Sequence, residues 1–126
     1  MLSKIRLILG ILFLPLITPS CAHITPTCDN FASPPVDCGQ FIAGFCNTIG
    51  NTPVAQEFFN CDNVNSGKDS CTIGTFNQAS TPQVPTIHKC VEVLTKINET
   101  CPSGNAKAVG DNFLYMFEVD SFPCSA

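Results

Sequence analysis

The sequence predicts an α+β fold, a small disulfide-rich helix–sheet–helix sandwich with an antiparallel sheet. Two segments carry apolar residues at helical spacing, and they alternate along the chain with segments typical of β-strands. Nine cysteines occur in 126 residues, and all but one lie between Cys28 and Cys124. Cysteine at this density in a short chain is typical of secreted domains that are cross-linked by disulfides.

The first 22 residues have the pattern of a cleavable secretory signal peptide. A short cationic head precedes the apolar run Leu7–Ile17, and the small residues Ser20 and Ala22 follow. The run is shorter than the about 20 apolar residues that a transmembrane helix needs. Cleavage after Ala22 removes Cys21, so the mature chain keeps 9 − 1 = 8 cysteines, an even number that can pair completely.

The expected mature chain, residues 23–126, is a single cysteine-rich domain with an acidic balance. Four lysines and ten acidic residues give it a net charge of 4 − 10 = −6, because the other two basic residues lie in the leader. Such a chain lacks the cationic surface that binds nucleic acid or anionic membranes. We therefore expect a secreted, extracellular protein that binds neither nucleic acid nor membranes.

The first helix is predicted over residues 38–49, after an extended, proline-bearing arm at 23–35. Asp37 stands at the N-cap position with Gln40 three residues later, as in a capping box, and Gly50 can end the helix. The apolar residues recur at helical offsets 0, 3, 4, 7, 8 and 11: Cys38, Phe41, Ile42, Phe45, Cys46 and Ile49.

Two strands joined by a turn are predicted next, at residues 54–61 and 70–77. The turn is centred on Asn65-Ser66-Gly67, residue types that favour turns and tolerate a left-handed backbone. The second strand is therefore expected to pair back on the first.

The second helix, over residues 87–101, has the clearest helical pattern, and Pro102-Ser103-Gly104 can end it. Its apolar residues fall at offsets 0, 3, 4, 7, 10 and 14: Ile87, Cys90, Val91, Leu94, Ile97 and Cys101. A loop then leads to a final strand at 113–119. The order helix, strands, helix, strand predicts that both helices pack on an antiparallel sheet.

All eight remaining cysteines are expected to form disulfides: Cys28, Cys38, Cys46, Cys61, Cys71, Cys90, Cys101 and Cys124. Cys38 and Cys46 would lie about 12 Å apart along the first helix, and Cys90 and Cys101 about 16 Å apart along the second. A disulfide needs Cα atoms within about 7 Å, so neither pair can bridge. Each helix is then joined to other elements at two points, and every connectivity without those two pairs remains open.

Motifs of the common enzyme classes are missing from the sequence, including G-x-S-x-G, H-E-x-x-H, C-x-x-C and a phosphate-binding glycine loop. A glycosidase needs a pair of carboxylic acids, and four residues could supply them: Glu57, Asp111, Glu118 and Asp120. All four are expected at solvated ends of strands and loops, which accounts for them without a catalytic role. Six phenylalanines are expected in the core: Phe41, Phe45, Phe58, Phe59, Phe76 and Phe117. We therefore expect a binding protein that is not an enzyme and needs no cofactor.

Two further positions carry candidate chemistry. Asn98-Glu99-Thr100 is a glycosylation sequon, so Asn98 is a predicted site of modification in a secreted glycoprotein. Cleavage after Ala22 would make His23 the mature N-terminus, which resembles the copper-binding histidine brace of lytic polysaccharide monooxygenases. His88 is the one other histidine that could complete such a site. A copper protein is therefore an alternative.

From Cys38 onward, the chain resembles the secreted glycan-binding family of mushroom-forming fungi typified by the protein called Y-three. The resemblance rests on three segments: Cys38-Gly39-Gln40-Phe41-Ile42-Ala43-Gly44-Phe45-Cys46, Cys90-Val91-Glu92-Val93-Leu94 through to Cys101-Pro102-Ser103-Gly104, and Val119-Asp120-Ser121-Phe122-Pro123-Cys124. It implies a helix–sheet–helix sandwich that forms a homodimer by extending its sheet. It also implies binding of glycans that contain N-acetylhexosamine.

We therefore expect a secreted, lectin-like protein with a defensive role. Its candidate glycan contacts are Tyr115, Asn112 and Asp111, in and beside the loop that leads to the last strand. A looser likeness to small killer-toxin-like proteins of fungi leaves one more alternative open. In that alternative the protein is a secreted effector that binds a protein target.

Overall fold

The computed structural model describes residues 23–29, 33–101 and 105–125, and within them it confirms an α+β fold with an antiparallel sheet. The strands are β1 (Thr27–Cys28), β2 (Glu57–Val64), β3 (Asp69–Asn77), β4 (Ala106–Gly110) and β5 (Phe113–Asp120). The α-helices are α1 (Ile42–Ile49) and α2 (Ile87–Thr100), and 3₁₀ turns occur at Gly39–Phe41 and Asn65–Gly67. The sheet order is β1-β4-β5-β3-β2, and every pairing is antiparallel.

The first helix starts where the sequence predicts, although its first turn is 3₁₀ rather than α. The Asp37 side chain accepts a hydrogen bond from the Gly39 N–H at 2.8 Å, and the Gln40 side-chain amide donates to the Asp37 carbonyl at 3.1 Å. The first of these bonds satisfies a backbone N–H that the helix leaves unpaired at its start. Gly50 follows the last turn, as predicted.

The second helix is confirmed over almost its whole predicted length, but its buried stripe is rotated slightly. Thr86 caps it by accepting a hydrogen bond from the Lys89 N–H at 3.3 Å. Val93 is fully buried whereas Val91 is half-buried and Ile87 is exposed, so the stripe turns toward Val93. The predicted stop signal at 102–104 and the leader lie outside the described residues.

Both helices pack on one face of the sheet, here called the inner face. This face carries the buried side chains of β5: Phe113, Tyr115, Phe117 and Val119. The ring of Phe45 in α1 lies 5.9 Å from that of Phe58 in β2, and a Cβ atom on Gly110 of β4 would overlap Val93 of α2. The opposite side, here called the outer face, has no helix of the described chain against it.

The predicted β2–β3 hairpin is confirmed, with β2 starting at Glu57 and Val54 forming an isolated bridge to Gln83. The turn Asn65-Ser66-Gly67 is built from left-handed residues, with φ of 51°, 57° and 76°. Asn and Gly accept such angles more readily than other residues, which explains their presence.

Strands β1 and β4 were not predicted, because residues 23–35 were expected to be an extended arm and the segment before the last strand was expected to be a loop. In β4 the buried positions are Ala106, Ala108 and Gly110, and the exposed ones are Lys107 and Val109. The alternation of a half-buried strand is present, but small residues at the buried positions give a weak apolar signal.

Four disulfides join the elements: Cys28–Cys101, Cys38–Cys71, Cys46–Cys90 and Cys61–Cys124. Neither of the two excluded pairs occurs. Cys46–Cys90 joins the two helices. Cys38–Cys71 ties the residue before the first 3₁₀ turn to β3, and Cys28–Cys101 ties the residue that ends α2 to β1. Each helix is therefore held at two points. No helix within the described residues is long and apolar enough to span a bilayer.

Candidate functional site

Tyr115, the central residue of the predicted glycan site, lies inside the protein. It points from β5 to the inner face and is 1 % exposed. Burial, together with the negative charge of Asp111, raises the pKa of Tyr115 to about 12. Because solvent does not reach the ring, it cannot stack on a sugar, and the assignment of Tyr115 as a glycan contact is corrected.

The two other predicted contacts, Asp111 and Asn112, form the exposed turn between β4 and β5. Asp111 has a left-handed φ of 53°, which Asp tolerates better than most residues. The Asn112 carbonyl accepts a hydrogen bond from the Gln78 N–H at 2.8 Å. Both residues therefore have a structural explanation, and their contact with a glycan stays a prediction.

The outer face carries an aromatic ledge that the sequence did not indicate. Phe59 is 40 % exposed and Phe76 is half-buried, so the expectation that both are core residues was wrong. Their rings meet edge to face, with centroids 5.1 Å apart and an interplanar angle of 81°. Strand register places Gly74 opposite Phe59, and a Cβ atom on Gly74 would overlap the Phe59 ring. The missing side chain therefore lets the ring lie close against the sheet.

Apolar and charged side chains surround a shallow hollow of about 290 Å³ next to this ledge. Phe76, Leu114 and Met116 contribute apolar surface, and Lys107 and Glu118 contribute charges of both signs. A second hollow of about 370 Å³ adjoins it and shares Lys107 and Leu114. We name the four apolar side chains of this surface the outer platform: Phe59, Phe76, Leu114 and Met116.

A larger cleft of about 570 Å³ lies on the helix side, between the N-terminal arm and α2, and is here called the arm cleft. His23 and Ile24 line it from the arm, and His88 lines it from α2. On the same helix, the Lys89 ammonium lies 2.7 Å from the Glu92 carboxylate. The hydrogen bond from Lys89 lowers the pKa of Glu92, another lining residue, below its ordinary value.

The structure brings His23 and His88 to the same cleft, as the copper alternative requires. In residues 23–29, 33–101 and 105–125, however, no three side chains of His, Cys, Asp or Glu come together as metal ligands. Side chains of this part of the chain therefore do not form a complete metal site on their own.

The sequon residue Asn98 lies on the exposed side of α2 near its end. Its amide faces Gly39 of the first 3₁₀ turn, where a Cβ atom would come 2.7 Å from the Asn98 Nδ2 atom. Exposure agrees with the requirement for modification, and glycosylation of Asn98 stays a prediction.

Comparison with known proteins confirms the resemblance seen in the sequence. No curated protein matches the chain. The family model described as "Glycan binding domain Y3" matches residues 37–124, a span that runs from the Asp37 cap to the Cys124 disulfide. This span includes both helices and all strands except β1. The chain therefore belongs to the Y3 glycan-binding domain family.

Proposed function

We propose that the protein is a secreted, defensive lectin that binds glycans on its outer platform without chemically changing them. The observation that carries this proposal is the exposed ring of Phe59, held in place by Phe76 and the bare backbone of Gly74. Phe59 belongs to a group of neighbouring apolar side chains, and a contiguous apolar patch marks a binding site more often than a single exposed residue does. The carbon-bound hydrogens of a sugar ring form apolar faces, so stacking on Phe59 removes apolar area of both partners from water.

Charged groups next to the platform fit the hydroxyl groups of a sugar. Lys107 can donate hydrogen bonds, and the Glu118 carboxylate can accept them from hydroxyl groups. Hydrogen bonds to charged groups are the stronger ones, and a few of them in a mostly apolar site fix the orientation of a ligand. An N-acetyl group has a methyl that can pack against Leu114 and Met116. It also has an amide that can form hydrogen bonds with Lys107 and Glu118. This supports N-acetylhexosamine as a component of the ligand.

We also propose that two copies pair through β2 and extend the sheet. Among the described strands, β2 is an edge strand of eight residues, whereas the other edge, β1, has two residues. A long unpaired edge offers backbone donors and acceptors to another strand. Pairing about a two-fold axis would place both outer platforms on one continuous face and allow bivalent binding.

A β2 variant, Asn60→Pro, should then sediment as a monomer under conditions where the parent protein is dimeric.

Secretion and glycosylation complete the proposal. Four disulfides require an oxidising compartment to form, which supports export by way of the leader. The exposed position of Asn98 supports attachment of a glycan there. The mass of the intact protein secreted from a eukaryotic host reports both the first residue and the glycan.

Replacing Phe59 by alanine should weaken glycan binding by about 30-fold or more, since truncating a central aromatic contact costs about 2 kcal/mol. Glycans found for the parent protein on an array are titrated into both proteins by calorimetry. Val84→Ala is the matched control, because Val84 is 49 % exposed but lies outside the platform. It should bind like the parent.

Equal glycan affinity of the Phe59→Ala and parent proteins would show that the glycan site does not include the outer platform. No array signal from the parent would remove glycan binding as the function. In that case, capture of a protein target that free sugars do not displace would support the effector alternative.

A further inference from the structure

The N-terminal arm is fixed so that it runs back along α2. The disulfide Cys28–Cys101 ties the arm to the end of the helix, with Cα atoms 5.3 Å apart. Strand β1 pairs antiparallel with β4, which itself packs on α2, so the arm is held beside the helix at Thr27 and Cys28. From Cys28, the chain therefore leads toward the start of the helix.

The lengths of the two segments bring His23 level with His88. Five residues separate Cys28 from His23, which can span at most about 17 Å. Thirteen helical residues separate Cys101 from His88, a rise of about 20 Å. Both segments start at the same disulfide, so the two histidines lie at nearly the same height. Both are exposed, and both line the arm cleft.

The arm is also anchored next to His23. Ile24 is partly buried and packs against the hydrophobic core, while His23 beside it is exposed. An anchored neighbour limits the positions that the histidine can take, which reduces the entropy lost when a ligand orders it. The position of His23 in the arm cleft is therefore limited by the packing of the next residue, Ile24, and by the disulfide five residues later, at Cys28.

We infer that the mature protein binds one Cu²⁺ ion in the arm cleft through the α-amine and imidazole of His23 and the imidazole of His88. This inference depends on cleavage after Ala22, which would free the amine of His23. The amine would be the third donor beside the two imidazoles. The copper site does not depend on the glycan site, because none of the four side chains of the outer platform lines the arm cleft.

The chemistry of the donors selects the metal. Three nitrogen donors suit Cu²⁺, which also forms the most stable complexes among the divalent first-row metals. Glu92 and Glu99 line the same cleft, where Lys96 provides a positive charge and Lys89 pairs with Glu92. The carboxylates reduce the cost of placing a divalent cation close to these lysines.

The test uses the protein secreted from a eukaryotic host, with its first residue established by mass and N-terminal sequencing. Cu²⁺ is titrated by calorimetry, and the complex is examined by electron paramagnetic resonance. The expected result is one equivalent of copper with a signal split by nitrogen nuclei. A mature chain that starts at another residue, or a parent protein that takes up no copper, overturns the inference.

Three variants distinguish this site from copper bound by the N-terminus alone. His88→Ala should weaken binding by about 100-fold or more, because even the loss of an outer-shell partner costs about 10–100-fold. A form in which the His23 amine is acetylated keeps both imidazoles, removes the amine as a donor and should lose a similar factor. Lys96→Ala changes another residue of the cleft and should bind copper at least as tightly as the parent.

Equal copper affinity of the parent and His88→Ala would overturn the two-histidine site. Glycan binding provides the independent readout, since His88→Ala should leave it unchanged and Phe59→Ala should leave copper binding unchanged. If the protein binds no glycan, only the glycan titrations change, and the copper titrations still test the copper site.

Discussion

Removing the disulfide between the two helices by the double change Cys46→Ala and Cys90→Ala should lower the free energy of unfolding by more than about 4 kcal/mol. The bond spans 44 residues of sequence, and the loss of its constraint on the unfolded chain accounts for about 4 kcal/mol. Both cysteines are fully buried, so truncation also removes packing contacts from the core. Chemical denaturation followed by far-ultraviolet circular dichroism measures the change.

The matched control is the double change Cys61→Ala and Cys124→Ala. This bond spans 63 residues, so chain entropy again predicts about 4 kcal/mol. Cys61 is exposed, however, so its truncation leaves no void in the core. The buried pair should therefore cost more than this control, and the difference measures the packing contribution. A loss for the buried pair no greater than that of the control would contradict the account.

The helices could be predicted because their patterns depend on local spacing. The stripe from Cys38 to Ile49 and that from Cys90 to Ile97 both repeat at the helical period, and polar caps mark their starts. Strand β4 was not predicted because the residues at its buried positions are Ala and Gly, which give a weak apolar signal. Its place in the sheet comes from long-range pairing with β5 and β1, which sequence spacing does not contain.

The outer platform could not be predicted because Phe58 and Phe59 are adjacent on one strand. Alternation places them on opposite faces, but the sequence does not say which face the helices cover. Phe58 packs near Phe45, and Phe59 is left on the outer face. Tyr115, the aromatic residue that was predicted to contact a glycan, is buried on the inner face, which the helices cover.

The arm cleft depends on a disulfide that cysteine spacing left open. Cys28 could have paired with several other cysteines, and only its bond to Cys101 brings the arm back along α2. The sequence suggested His23 and His88 as partners because they are its two histidines, but its spacing did not show that they are close. Their proximity follows from the connectivity together with the antiparallel pairing of β1 and β4.

The stability of the protein should fall between pH 10 and pH 12 as the unfolded chain ionises at Tyr115. The ordinary tyrosine pKa is 10.0, and burial raises that of Tyr115 to about 12. The neutral phenol is therefore favoured in the folded state, and its contribution is complete below pH 10. As the pH rises, the unfolded chain releases this proton first, so stability is lost until the folded protein also ionises. The loss is at most about 2–3 kcal/mol.

Because Tyr115 is the one tyrosine in the chain and tryptophan is absent, the near-ultraviolet absorbance of tyrosinate reports this residue alone. Its titration midpoint should lie near pH 12 in the native protein and near pH 10 in concentrated denaturant with the disulfides intact. Tyr115→Phe keeps the ring and removes the ionising group, so the difference between its alkaline stability curve and that of the parent isolates the phenol. A native midpoint near pH 10 would mean that solvent reaches the ring, and Tyr115 would then again be a candidate for contact with a glycan.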